Sequence, residues 1–162
     1  MLMKNEMKSG VGPLPPEHPE VKIGKVGVLL VNLGTPDGYD KKNMYKYLRE
    51  FLTDKRVIEW PKALWYPILF GIVLNVRPAK SGAAYKTIWN HELDESPLRT
   101  FTRSQSDKLH ETLKDHDNVV VDWAMRYGNP SIPSRLEYLK EQGCDRLLIF
   151  PLYPQYSAAT TA

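Results

Sequence analysis

Two periods of apolar and polar residues run along this chain, and the switches between them outline a fold. Residues 25–33, Lys-Val-Gly-Val-Leu-Leu-Val-Asn-Leu, form a β-branched apolar run with no polar alternation. That pattern predicts a strand buried on both faces of a parallel sheet. It ends at Gly34-Thr35-Pro36-Asp37-Gly38, a turn signal. From Asn43 to Leu52 the apolar positions Met44, Tyr47, Leu48 and Phe51 recur at helical spacing. Pro78 is placed for the first turn of a helix reaching about Trp89. Ser96-Pro97 predicts a further start, the Ser as cap and the Pro at the first helical position, with the helix continuing through Leu109 and Leu113. Residues 118–125 read as a second strand, 130–142 as a helix closed by Gly143, and 146–153 as a third strand. A short extra strand near Val57-Ile58-Glu59 would fit the long helical stretch between the first two strands.

Strands alternating with helices predict βαβ units. The expected fold class is therefore α/β, a three-layer Rossmann-like domain with a mainly parallel sheet, over residues 25–162. Residues 1–24, with Gly12-Pro13-Leu14-Pro15-Pro16, read as a disordered Pro-rich leader without the apolar core of a signal peptide. The run over 60–74 is strongly apolar, but too short and too rich in Pro61, Lys62 and Pro67 for a membrane span. It is either a core-packed helix or an exposed apolar lip that covers a ligand or touches a bilayer surface.

Composition narrows the function classes. At 162 residues, 42% hydrophobic and 25% charged, the chain is an ordinary one-domain globular protein. A net charge of +3 without a basic run interleaved with aromatics argues against nucleic acid. The single Cys144 excludes an internal disulfide and suits a reducing cytoplasm. Neither G-x-G-x-x-G nor a P-loop motif occurs, so a nucleotide is not the expected ligand. His18, His91, His110 and His116 have no metal-cluster spacing and read as surface residues.

Ligands of open α/β sheets bind outside the carboxyl ends of the strands. Three predicted strand exits, at Leu33, Arg126 and Tyr153, gather apolar, cationic and aromatic side chains on one such edge. Arg77 and Lys80 flank Pro78 and are expected at a helix amino terminus, where free N–H groups and the helix dipole favour an anion. Tyr85 lies about two turns further on. The alternative for Arg77 and Lys80 is a solvated pair of charges. Such an edge suits a flat, apolar, anionic ligand, and Leu33, Arg77 and Tyr153 are expected to share one hollow.

Five motifs carry a resemblance: Val31-Asn32-Leu33-Gly34-Thr35-Pro36, Ser81-Gly82-Ala83-Ala84-Tyr85-Lys86-Thr87-Ile88-Trp89-Asn90, Glu95-Ser96-Pro97-Leu98, Met125-Arg126-Tyr127-Gly128-Asn129-Pro130 and Pro151-Leu152-Tyr153-Pro154-Gln155-Tyr156-Ser157. In this order the chain resembles the amino-terminal half of bacterial ferrochelatases, from about Lys25 to Ala162. The resemblance implies a chelatase-like domain and an activity, insertion of ferrous iron into protoporphyrin IX to give protohaem. It implies that Leu33 lines the macrocycle wall, that Arg77, Lys80, Tyr85 and Ser96 border the porphyrin and its propionates, that Tyr153 faces the pocket and that Arg126 supports it. Iron is then a substrate, with no cofactor, metal-ligating or catalytic residue expected on this chain. The family's catalytic His and its neighbouring Glu belong to a second half, so the chain is expected to be truncated at its carboxyl end and inactive alone. The 60–74 run corresponds to a flexible pocket lip that touches membrane in some members. A cytoplasmic protein, peripheral to the inner membrane and prone to self-association, is the implied setting. Two rivals are a non-catalytic porphyrin or haem carrier and a half-enzyme completed by a second chain.

Overall fold

The computed structural model describes residues 24–155. The leader expected over 1–24 therefore lies, but for Gly24, outside the described residues, as does the last motif from Tyr156 onward. In chain order the elements are β1 (Lys25–Thr35), α1 (Lys41–Thr53), α2 (Lys62–Ile68), a π-helical turn (Leu69–Val73), α3 (Leu74–Ile88), α4 (Pro97–Thr112), β2 (Val119–Gly128), α5 (Ile132–Glu141) and β3 (Cys144–Pro151).

The three strands are parallel, in the order β2-β1-β3. The apolar run of β1 forms the central strand because both of its faces are covered. On one face α4 packs over β1 and β2, where Asn32 Nδ2 donates to Thr102 Oγ1 at 3.1 Å. On the other, Leu139 of α5 closes a cluster with Leu29, Val31 and Ala124. The result is the three-layer α/β domain with a parallel sheet that the periodicity predicts. Helix starts are fixed by side chains: Asp40 accepts from the N–H groups of Lys42 and Asn43, Ser96 from Arg99 and Ser131 from Ser134.

Two expectations are corrected. Residues 57–59 form no strand; Val57 and Ile58 both donate their N–H to the Asp54 carbonyl, a turn that closes α1. The helix expected to begin at Pro78 begins earlier. Helical backbone runs from Lys62 through the π-helical turn into α3, leaving Pro78 inside it. A proline removes one donor without forbidding the helical φ, and packing decides the matter. Leu69, Leu74, Pro78 and Gly82 are buried, with α3 laid against α1. Gly82 permits this approach, since a Cβ there would collide with the Tyr39 carbonyl oxygen.

The exits of β1 and β2 approach closely as well. Gly34, at φ +114°, pairs with Tyr127, and Gly128, at φ +84°, pairs with Thr35. A Cβ on Gly34 would meet the Tyr127 carbonyl oxygen, and one on Gly128 that of Thr35. Gly34→Ala is therefore expected to cost at least about 1–3 kcal/mol in urea denaturation, from backbone strain alone. Gly71→Ala, with nothing near its Cβ, leaves stability unchanged or raises it by up to about 1 kcal/mol.

Candidate functional site

The carboxyl ends of the strands bring three of the expected residues into line. Alternation puts Leu29, Val31 and Leu33 on one face of β1, and register puts Asp122 and Ala124 opposite the first two. Leu33 falls between the pairs Asn32↔Met125 and Gly34↔Tyr127, level with Arg126 on β2. Tyr153, just beyond β3, packs against the cluster of Leu29, Val31, Ala124 and Leu139. Arg126, Leu33 and Tyr153 thus stand in a row across β2-β1-β3, on the face that α5 covers further down. Burial pushes the Tyr153 phenol above its ordinary pKa, with the Arg126 charge pulling it back.

Arg126 is held from below. Its Nη2 donates to Asp54 Oδ2 at 3.1 Å, the Tyr127 hydroxyl donates to the same oxygen at 3.0 Å, and the Arg56 N–H donates to Oδ1 at 2.8 Å. The guanidinium also lies 5.4 Å from the Tyr127 ring centre. Burial and the Asp54 acceptor push the Tyr127 hydroxyl up to about 12, so it donates throughout the neutral range. Beside it Phe51 meets Tyr127 edge-on at 5.1 Å and stacks on Tyr47 at 6.1 Å. Tyr47 donates to the Gly34 carbonyl at 3.3 Å, tying α1 to the exit of β1.

Leu33 and Tyr85 both pack against the cluster formed by α1, Leu69, Leu74 and Tyr127, so α3 reaches the same rim. Arg77 and Lys80 are exposed and have no hydrogen-bond or ion-pair partner among the described residues. Because α3 starts at Leu74 and continues the helix before it, they do not stand at a helix amino terminus. The expected help from free N–H groups and the dipole is absent there. They also diverge: Arg77 flanks the buried stripe of Leu74, Pro78 and Gly82, while Lys80 lies on the far side of the helix. Ser96 is buried and its hydroxyl caps α4. Around it, Glu95 takes both Arg103 nitrogens at 2.9 and 2.6 Å and the Thr100 hydroxyl at 2.9 Å. These bonds fix the Glu95-Ser96-Pro97 corner.

The 60–74 run combines both readings made of it. Leu69 and Leu74 are buried and Trp65 Nε1 donates to the Leu52 carbonyl at 2.8 Å, while Trp60, Leu64 and Ile72 are 60%, 63% and 62% exposed. It is a helical lip anchored on one side and bare on the other. Hollows among the described residues include one of about 470 Å³ along α1, lined by Lys42, Tyr45, Lys46 and Arg49 among others, and one of about 540 Å³ at Trp60. Neither is lined by Leu33, Arg77 or Tyr153. The row of candidates is an open wall of the rim.

A family model described as Ferrochelatase matches residues 25–162. The chain belongs to the ferrochelatase family. A ferrochelatase of Rhizobium etli (strain CIAT 652) is 67% identical over 156 residues, 96% of this chain and 45% of the relative. Ferrochelatases of Rhizobium leguminosarum bv. trifolii (strain WSM2304) and Brucella ovis (strain ATCC 25840 / 63/290 / NCTC 10512) are 68% and 65% identical, over 91% of this chain and 43% and 42% of theirs. The chain thus spans under half the length of these curated relatives. Among its described residues no helix is long and apolar enough to cross a membrane, and no group of His, Cys, Asp or Glu is gathered for a metal.

Within this ferrochelatase-family rim, sequence reasoning missed Tyr47, Phe51, Asp54 and Tyr127. Phe51 and Tyr47 stand in the sequence only as apolar positions at helical spacing. Asp54 shows its partners only once α1 lies against β2. Burial raises the Asp54 pKa, but bonds from Arg56 and Tyr127 and the Arg126 charge outweigh it and leave the pKa below the ordinary carboxylate value. A lowered folded pKa stabilises above the unfolded value and loses that contribution as pH falls through the folded one. Asp54→Asn should therefore flatten the loss of thermal stability below about pH 4, measured as melting temperature against pH. An unchanged acid slope would rule out this role.

Proposed function

We propose that this chain supplies one wall of the porphyrin site of a ferrochelatase, the enzyme that inserts ferrous iron into protoporphyrin IX to form protohaem. The row Arg126, Leu33 and Tyr153, in a chain of that family, is the observation that carries the reading. A porphyrin is a large apolar disc, so an aliphatic and aromatic wall gains about 25 cal/mol per Å² it covers. Two propionates need cations, and Arg77 and Lys80 are exposed on a helix packed to the same rim. Iron insertion bends the ring so that the pyrrole nitrogens face the metal while two protons leave, which a tight wall favours and a base must complete. His91, His110 and His116 are exposed, and none is assigned that role. Iron and porphyrin are substrates here, and the wall residues bind and orient rather than transfer protons.

One observation favours a half-enzyme over a porphyrin carrier. Leu147, Leu148, Ile149 and Phe150 of β3 are each 50–54% exposed, whereas strands of a parallel sheet are ordinarily covered. Further polypeptide, in the same or a second chain, completes the cleft in this reading, and the uncovered apolar face of β3 is expected to drive self-association of the chain alone. The bare side of the lip fits a bilayer surface, with the protein in the cytoplasm and peripheral to the inner membrane.

Fluorescence titration of the 162-residue chain with protoporphyrin should saturate, and Arg77→Ala with Lys80→Ala should weaken it roughly tenfold or more, the worth of one lost charge-assisted bond. Zinc or iron insertion by the same sample should stay near background; turnover matching a complete ferrochelatase would refute the half-enzyme reading. For the lip, sedimentation with phospholipid vesicles should be lost in a Leu64→Asp, Ile72→Asp variant. Equal sedimentation of both proteins would dismiss the membrane contact.

A further inference from the structure

We propose that Asp37 is a positioning residue that sets the spacing of the porphyrin wall, by holding three wall-bearing segments on one carboxylate. The inference rests on the porphyrin reading above. Arg99 Nη2 donates to Asp37 Oδ1 at 2.7 Å, and Asn129 Nδ2 donates to Asp37 Oδ2 at 2.7 Å. Lys46 Nζ stands 3.5 Å from Oδ2. Each of the three segments joined by these hydrogen bonds and their shared carboxylate carries, a short step back along the chain, a residue that the resemblance places at the porphyrin. Asp37 is four residues beyond Leu33, Arg99 is three beyond Ser96, and Asn129 is three beyond Arg126.

An aspartate in a Gly-Thr-Pro-Asp-Gly turn ordinarily bonds its own backbone two residues on. Asp37 does otherwise: its bonds go to residues 62 and 92 positions away in sequence. Arg99 is well covered, with 15% of its side chain exposed against 27% for Asp37, so the pair is shielded more than an open surface bridge. Burial raises the Asp37 pKa, but the bonds from Arg99 and Asn129 and the charges of Arg99 and Lys46 leave it below the ordinary value. The group is an anion at neutral pH, with an acceptor for each donor. A neutral amide could accept from one donor only and would turn its own N–H groups against the other. The carboxylate is therefore what keeps the β1 exit, the start of α4 and the β2 exit at one distance.

The experiment is protoporphyrin titration and thermal melting of the 162-residue chain, with Asp37→Asn, Asn129→Asp and both together. The double variant exchanges carboxylate and amide. Its amide, now at position 37, would accept from Arg99 and donate to the carboxylate now at position 129, keeping charge and bond count. Asp37→Asn is expected to weaken porphyrin binding about tenfold, and the double variant to restore it to within about threefold. Saturable binding that Asp37→Asn leaves unchanged overturns the inference alone. No saturable binding by the unaltered chain overturns the porphyrin reading and this inference with it. Weakening that follows a lowered melting temperature and is not restored by the exchange marks a structural role only, and also overturns it. Should Asp37→Asn not fold, Asn129→Ala removes one arm at an exposed position; binding at the unaltered affinity would count against the proposal and several-fold weaker binding for it.

Discussion

Leu29, Leu30 and Val31 are at most 4% exposed, so β1 has no face left for water. A strand in that state needs a neighbour on each edge and a helix on each side. β2 and β3 supply the edges, α4 and α5 the sides. Parallel pairing then sends all three strands out of the sheet at the same end. Each buried Leu or Val is worth about 1.5–3 kcal/mol, far more than any single polar contact at the rim. The site thus inherits its location from apolar burial and only its details from polar bonds.

Those details depend on two carboxylates. Asp54 gathers Arg126, Tyr127 and the Arg56 N–H at the foot of the wall. Asp37 gathers Arg99 and Asn129 behind it. Both join segments far apart in sequence, and both are partly shielded from solvent, where charge-assisted bonds are shorter and stronger than neutral ones. Gly34 and Gly128 make the arrangement sterically possible by letting the two strand exits nearly touch. Long-range side-chain bonds gather at the β1 and β2 exits, while the lip and β3 keep broad apolar surface exposed.

The alternation of apolar strands and amphipathic helices determined the α/β class and a first strand buried on both faces, because burial on two faces leaves a pattern readable in one dimension. The capping Ser96 and the line of Leu33, Arg126 and Tyr153 were legible for the same reason, since strand ends follow from strand positions. Tertiary packing alone decided the rest. It carried the helix through Pro67 and Pro78, because burying Leu69, Leu74 and Gly82 outweighs two missing donors, and so removed Arg77 and Lys80 from a helix amino terminus. It also chose Asp37 and Asp54 as anchors, since a carboxylate whose partners lie 62 to 92 residues away acquires its meaning only when the chain has closed on itself.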